Sequence, residues 1–167
     1  MLSTDRVVHE LYETSEIRDA VVERYGPEVV RDGTVDRAAV AQRAFAIPDS
    51  RAWLEELLWP RVGERMVRWR QELETASRPP RAAVVEVPLL FESGMATAFD
   101  ATIAVVADED LRAERAGARG HEALAERSAR QFTQEEKSQR ATYTVVNDGT
   151  TEQLERKLSD VLAILER

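Results

Sequence analysis

A chain of 167 residues, 43% hydrophobic and 32% charged, is long enough to bury the core of one ordinary domain without disulfide or metal staples. No apolar run approaches the roughly 20 residues a bilayer span needs, no basic-then-apolar leader is recognisable at the start, and with no cysteine there are no disulfides, thiolates or cysteine zinc sites, so the cytosol is the expected compartment. The 23 basic against 31 acidic residues, a net charge of −8, argue against an electrostatic nucleic-acid binder, which would carry a basic face.

The first half reads as helices. Thr4 is placed to cap a helix whose apolar residues Val7, Val8, Leu11 and Tyr12 follow 3,4 spacing. A second amphipathic run uses Ile17, Ala20, Val21 and Tyr25 and stops at Gly26-Pro27, and Arg31-Asp32-Gly33-Thr34 reads as a turn. Asp36 is a capping residue for a run carrying Ala39, Val40 and Phe45. Pro48-Asp49-Ser50 opens another with Trp53, Leu54, Leu57 and Leu58, which Pro60 is expected to interrupt before a separate Arg- and Glu-rich helix over 61–76.

After the loop at 77–81 the pattern changes. Ala82 to Val87, Ala101 to Val106 and Tyr143 to Val146 are short apolar, β-branched runs of the kind that doubly covered parallel strands show. Helical segments follow the last two, the final one capped by Thr150 with Gln153 three residues later. Alternation of strands and helices predicts an α/β fold with a parallel sheet, and Met1-Leu2-Ser3 reads as the tail of a further strand. Three such strands are few for a sheet covered on both faces, so the sheet is expected to be incomplete.

Candidate chemistry gathers at strand ends, where open α/β sheets place their ligands. Pro88, Leu89, Leu90, Phe91 and Glu92 stand just past the first strand; as an alternative, the three apolar residues cover the core and Glu92 is solvated. Asp5 sits in the first turn of a helix with His9 four residues on. Asp5 is either a proton acceptor for a substrate hydroxyl or a carboxylate satisfying the helix N-terminus; His9 is either a ligand or a packed side chain, and the pair is too small for a metal site. Residues 108–140 hold seven cations, Arg115, Arg119 and Lys137 among them, amid eight acidic residues. That segment is a solvated helix pair or a flap whose arginines reach phosphate on closing, with Gly117 and Gly120 as its bends. His121 reads as exposed and inert. Asn147-Asp148-Gly149 is a turn on the ligand edge of the sheet. No G-x-x-x-x-G-K-[ST] phosphate loop occurs: of two lysines, Lys137 is followed by Ser138, but the nearest preceding glycine is Gly120.

Taken in order, these pieces resemble the dephospho-CoA kinase family. Ser3-Thr4-Asp5 to His9 matches its D-x-D-x-x-x-[HR] segment, and Asp32-Gly33 through Val35-Asp36-Arg37 its D-G-x-[IV]-[DN]-R turn. Phe45 through Leu54, Leu57, Leu58 and Pro60 matches F-x(8)-L-x(2)-[IL]-x-H-P, and Pro88 to Glu92 the P-L-L-[FY]-E loop. Arg115 and Arg119, Gln131 with Lys137, and Asn147-Asp148-Gly149 complete the series. Ser3, Trp59 and Thr142 depart from the family's Asp, His and Asp.

The resemblance implies a three-layer P-loop kinase-type parallel sheet from which the leading strand, phosphate loop and helix, about 30 residues, are missing here. The implied divisions are a nucleotide-kinase core (1–14, 81–110 and 141–167), a helical insertion for the CoA moiety (15–78) and a lid (111–140). The implied reaction is ATP- and Mg²⁺-dependent phosphorylation of the ribose 3'-hydroxyl of dephospho-CoA, the last step of coenzyme A synthesis, with no nucleic-acid or membrane partner. Asp5 would be the catalytic base; His9 and Pro88 to Glu92 would meet the acceptor; Arg115 and Arg119 would neutralise phosphate; Lys137, Asn147 and Gly149 would lie near the nucleotide. The chain alone is expected to be inactive or nearly so, and unstable or self-associating. Other readings are a P-loop-less relative that binds CoA or a protein without catalysis, and a different small-molecule kinase.

Overall fold

The computed structural model describes residues 1–117 and 131–165, and the chain divides into two compact units, Met1–Pro88 and Leu89–Arg167.

The first unit opens with β1 (Leu2–Ser3), which pairs in parallel with β4 (Val85–Glu86), Leu2 opposite Val85 and Ser3 opposite Glu86. The tail-of-a-strand reading of residues 1–3 therefore holds, while the run from Ala82 is a strand only over its last part. Helix α1 (Thr4–Tyr12) leaves β1 directly. Its N-cap is Ser3, whose side chain makes no capping bond; Thr4, expected to cap, is instead the first helical residue and donates its hydroxyl to the Glu86 carbonyl at 3.1 Å. The neighbouring strand offers a buried acceptor, and a buried hydroxyl takes the partner within reach.

Helix α2 (Ser15–Tyr25) starts at Thr14, which accepts from the Ile17 amide, and ends at Gly26, whose φ of 91° suits glycine. Strands β2 (Val30–Arg31) and β3 (Thr34–Val35) form an antiparallel hairpin, with Asp32 and Gly33 at φ 50° and 77° in its turn. Positive φ at both central residues matches the right-handed twist of the strands, and Asp-Gly supplies it. Asp36 caps α3 (Arg37–Ala46) by accepting from the amides of Ala38 and Ala39. On α3 the buried pair is Val40 and Ala44, four apart; Phe45, expected on that face, is 65% exposed because one further step turns it about 100° away.

Helix α4 runs unbroken from Ser50 to Glu74 with Pro60 inside it, against the expected interruption. Leu58 and Val62, on either side of Pro60, are buried, and α4 packs along α1 and α3; those contacts outweigh the roughly 3 kcal/mol an internal proline costs. Pro60 itself faces outward, and Arg61 donates to the Leu57 carbonyl at 2.6 Å. The core of this unit joins Tyr12, Ile17, Val21, Tyr25, Val29, Val40, Ala44 and Leu58. Tyr25 meets Trp53 edge-on at 5.5 Å and shares a buried hydrogen-bond pair with Ser50.

In the second unit β5 (Ile103–Val106) and β6 (Tyr143–Val146) pair in parallel over four residues. Thr102 and Thr142 seal the start of this ladder reciprocally, each amide donating to the other's hydroxyl at 3.0 Å. Helix α5 (Glu109–Gly117) follows β5, α6 (Gln134–Arg140) precedes β6, and α7 (Thr151–Leu165) closes the described chain. The predicted Thr150–Gln153 capping pair is present, the Thr150 amide donating to Gln153 Oε1 at 3.0 Å and the Gln153 amide to Thr150 Oγ1 at 3.4 Å.

Candidate active site

Parallel pairing fixes where each strand's carboxyl end points, and the functional candidates of each unit gather there. In the first unit Asp5 follows β1 by two residues, in the first turn of α1. It is exposed, and no hydrogen bond or ion pair engages it among the described residues. Its place in the first turn of α1 also suits the alternative, a carboxylate whose charge favours the helix N-terminus. His9, one turn on, is half-exposed with Nε2 3.7 Å from Glu13 Oε1. Pro88 closes this unit.

Leu89 to Gly94 form consecutive turns rather than an open loop: the Ser93 amide donates to the Leu89 carbonyl at 3.0 Å, the Gly94 amide to the Phe91 carbonyl at 3.2 Å, and Ser93 Oγ to the Leu90 carbonyl at 3.2 Å. Leu89, Leu90 and Phe91 are all half-buried. Glu92 is not solvated, as one reading had it. Its Oε1 accepts the Phe132 amide at 2.8 Å and lies 3.1 Å from Lys137 Nζ, and its Oε2 is buried without a hydrogen-bond partner among the described residues. Burial pushes this carboxyl up, but its own amide, the Phe132 amide and the Lys137 ammonium together outweigh that and hold it below the usual carboxylate range.

Three further predicted residues meet at the end of the β5–β6 ladder. Arg115, on α5, donates Nη1 to the Asn147 carbonyl at 2.7 Å and Nη2 to the Gly149 carbonyl at 3.3 Å. The Asp108 amide donates to Asp148 at 2.8 Å, and Asp108 in turn accepts from the amides of Asp110 and Leu111 at the start of α5. Asn147-Asp148-Gly149 is thus a turn whose backbone carbonyls and side chain are clamped from α5 and its entry. Arg119 and His121 lie outside the described residues.

Sequence reasoning missed Gln134. Its side-chain amide copies a strand neighbour at the end of β5, accepting the Ala107 amide and donating to the Ala107 carbonyl, both at 2.8 Å. Its position was signalled by Thr133-x-x-Glu136, a capping box in which both reciprocal bonds form. Among the described residues no three His, Asp or Glu side chains converge to hold a metal.

The sequence profile of the dephospho-CoA kinase family, CoaE, matches residues 1–153. The chain belongs to the dephospho-CoA kinase family. It is 43% identical over 145 residues to the dephospho-CoA kinase of Deinococcus radiodurans, covering 84% of this chain and 68% of that protein. It is 36% identical over 151 residues to that of Streptomyces avermitilis, covering 87% and 71%. Among solved structures, the crystal structure of TT1252 from Thermus thermophilus superposes with a TM-score of 0.77 at 33% identity, over 98% of this chain and 83% of that one. The dephospho-CoA kinase from Campylobacter jejuni superposes at 0.68, over 99% and 84%; at 20% identity it speaks for the fold alone. The fold is therefore the α/β arrangement of parallel strands and helices of this kinase family, a family of phosphotransferases of coenzyme A biosynthesis that use ATP. No described helix is long and apolar enough to cross a membrane.

Proposed function

We propose that this chain supplies the acceptor-binding and lid portions of an enzyme that moves the γ-phosphoryl group of ATP to the ribose 3'-hydroxyl of dephospho-CoA. The observation that carries the reading is Asp5: a carboxylate within the family-matched stretch, exposed and with no hydrogen bond or ion pair among the described residues, at the carboxyl end of a strand in a parallel pair. Asp5 orients the acceptor hydroxyl and takes its proton as the new O–P bond forms and the bond to the β-phosphate oxygen breaks, releasing ADP. His9 and Pro88 to Glu92 face the CoA moiety, together with the helices over 15–78. Arg119 neutralises transferring phosphate. Arg115 shapes the Asn147–Gly149 turn beside the nucleotide, since its two outer nitrogens already serve backbone carbonyls.

The sequence contains no G-x-x-x-x-G-K-[ST] run. Such a loop cradles the β- and γ-phosphates with backbone amides and a lysine, and Mg²⁺ that travels with ATP is held largely by phosphate oxygens and water. The 167 residues alone are therefore expected to bind dephospho-CoA and to transfer little phosphate.

Calorimetric titration with dephospho-CoA and a coupled ADP-release assay test both halves. Binding without turnover, with turnover appearing once a strand–P-loop–helix segment is joined ahead of Met1, is the expected result. Binding with no turnover in the joined protein would favour a non-catalytic CoA-binding relative; turnover with another acceptor would make it a different small-molecule kinase.

A further inference from the structure

The Glu92–Lys137 pair ties the turn Leu89–Gly94 to α6, and it does so with little exposure: the two side chains are 13% and 22% exposed. The tie is doubled by the Phe132 amide on the same Glu92 oxygen. Helix α6 is itself fastened to the end of β5 through Gln134 on Ala107, and its start is held by the Thr133–Glu136 capping box. A continuous run of short contacts therefore leads from the β5–β6 ladder through α6 to the segment that displays Leu89, Leu90 and Phe91. An apolar trio on a turn presents a fixed surface only if that turn is ordered, and ordering costs backbone entropy at every residue of the turn. Glu92 is what a rigid neighbour grips.

We infer that Lys137 and Glu92 are a positioning pair for the acceptor: Lys137 acts through Glu92 on the shape of the 89–94 turn and not on the nucleotide. This deepens the proposed function and rests on its assignment of that turn to dephospho-CoA. It differs from the sequence expectation for Lys137, which placed it near ATP. Removing the Lys137 ammonium leaves the largely buried Glu92 carboxylate without that counter-ion, so the turn loosens even where the unit stays folded.

The test uses the 167-residue chain with Lys137→Met, Lys137→Arg, Glu92→Gln and the exchanged double variant Glu92→Lys/Lys137→Glu. Two quantities are read: calorimetric Kd for dephospho-CoA and for ADP, and amide exchange of the 89–94 peptide against that of β5 and β6. Lys137→Met and Glu92→Gln are expected to weaken dephospho-CoA about tenfold or more, the loss of one or two kcal/mol of preorganisation. Exchange at 89–94 should quicken while the β5 and β6 peptides stay protected. Lys137→Arg, which keeps the cation, should stay within about threefold of the parent, and the exchanged pair should recover part of the loss. ADP binding, read on the same variants joined to a strand–P-loop–helix segment, should be the same in all. Lys137→Met that weakens ADP alone, or that leaves both dephospho-CoA binding and 89–94 exchange at parent values, overturns the inference. Equal loss of protection throughout the unit would also overturn it, making the pair merely structural. A parent chain that fails to bind dephospho-CoA brings down the proposed function and the inference with it, whereas binding in the parent with silent variants brings down the inference alone.

Discussion

A carboxylate and a phenol carry the clearest consequences at the scale of single residues. Asp5 leaves its strand end with no hydrogen bond or ion pair among the described residues, so its replacement removes no described structural contact. In the protein joined to a phosphate-loop segment, Asp5→Asn should lower kcat by roughly 10² to 10⁴ with ATP affinity near that of the parent, the range for loss of a general base; a kinetically silent variant would refute the role. Tyr12 is 9% exposed in the helical core. Burial, helped by the neighbouring Tyr25 and opposed by Arg37, pushes its phenol from 10.0 up to about 12. The folded protein thus holds its proton at pH values where the unfolded chain has released it. The stability this represents, about 3 kcal/mol, is complete below pH 10 and is lost as pH rises towards 12. Urea unfolding from pH 9 to 12 should show that decline, with a shallower one in Tyr12→Phe.

At the scale of elements, packing overrode local grammar in α4 and agreed with it in α2 and α3. Thr14 and Asp36 cap as their residue types require. Pro60 should end a helix by its own preference, yet α4 continues because Leu58 and Val62 are both buried on the face turned to its neighbours. Pro60→Ala is therefore expected to raise stability by about 1 to 3 kcal/mol, since alanine restores a backbone donor and removes the ring's clash with residue 56. A lowered urea midpoint for Pro60→Ala would mean the proline shapes a bend on which the packing depends. Thr142, where the family usually has Asp, finds its reason in the ladder: its hydroxyl and amide are both spent on Thr102.

At the scale of the whole molecule, each parallel ladder is two strands wide among the described residues. Val84, Val105 and Val146, in or beside those strands, are 45%, 51% and 43% exposed. Apolar side chains and unpaired strand edges of this kind invite association. The 167-residue chain should show concentration-dependent sedimentation and a low urea midpoint. Joining a strand–P-loop–helix segment should raise the midpoint and suppress the association. A monomeric, cooperative transition of equal midpoint in both proteins would contradict this.

Helix periodicity, capping residues and the Asp-Gly turn were legible in the sequence because each depends on neighbours a few positions away, and the ordered series of family segments identified the kinase family. The positions of the parallel strands were legible too, as β-branched runs, though only Val85–Glu86 of the first run is ladder, with the Val84 carbonyl before it accepting from the Leu2 amide at 2.9 Å. What the sequence left open was every choice that depends on a distant partner. Thr4 turned from capping to bonding Glu86, Glu92 from solvent to Lys137 and the Phe132 amide, Arg115 to the carbonyls of Asn147 and Gly149, and Gln134 to Ala107. A polar side chain advertises its donors and acceptors in one dimension, but which of them is satisfied is decided only when folding brings together groups 27 to 82 residues apart, since a buried polar atom must bond to whatever the tertiary structure sets beside it.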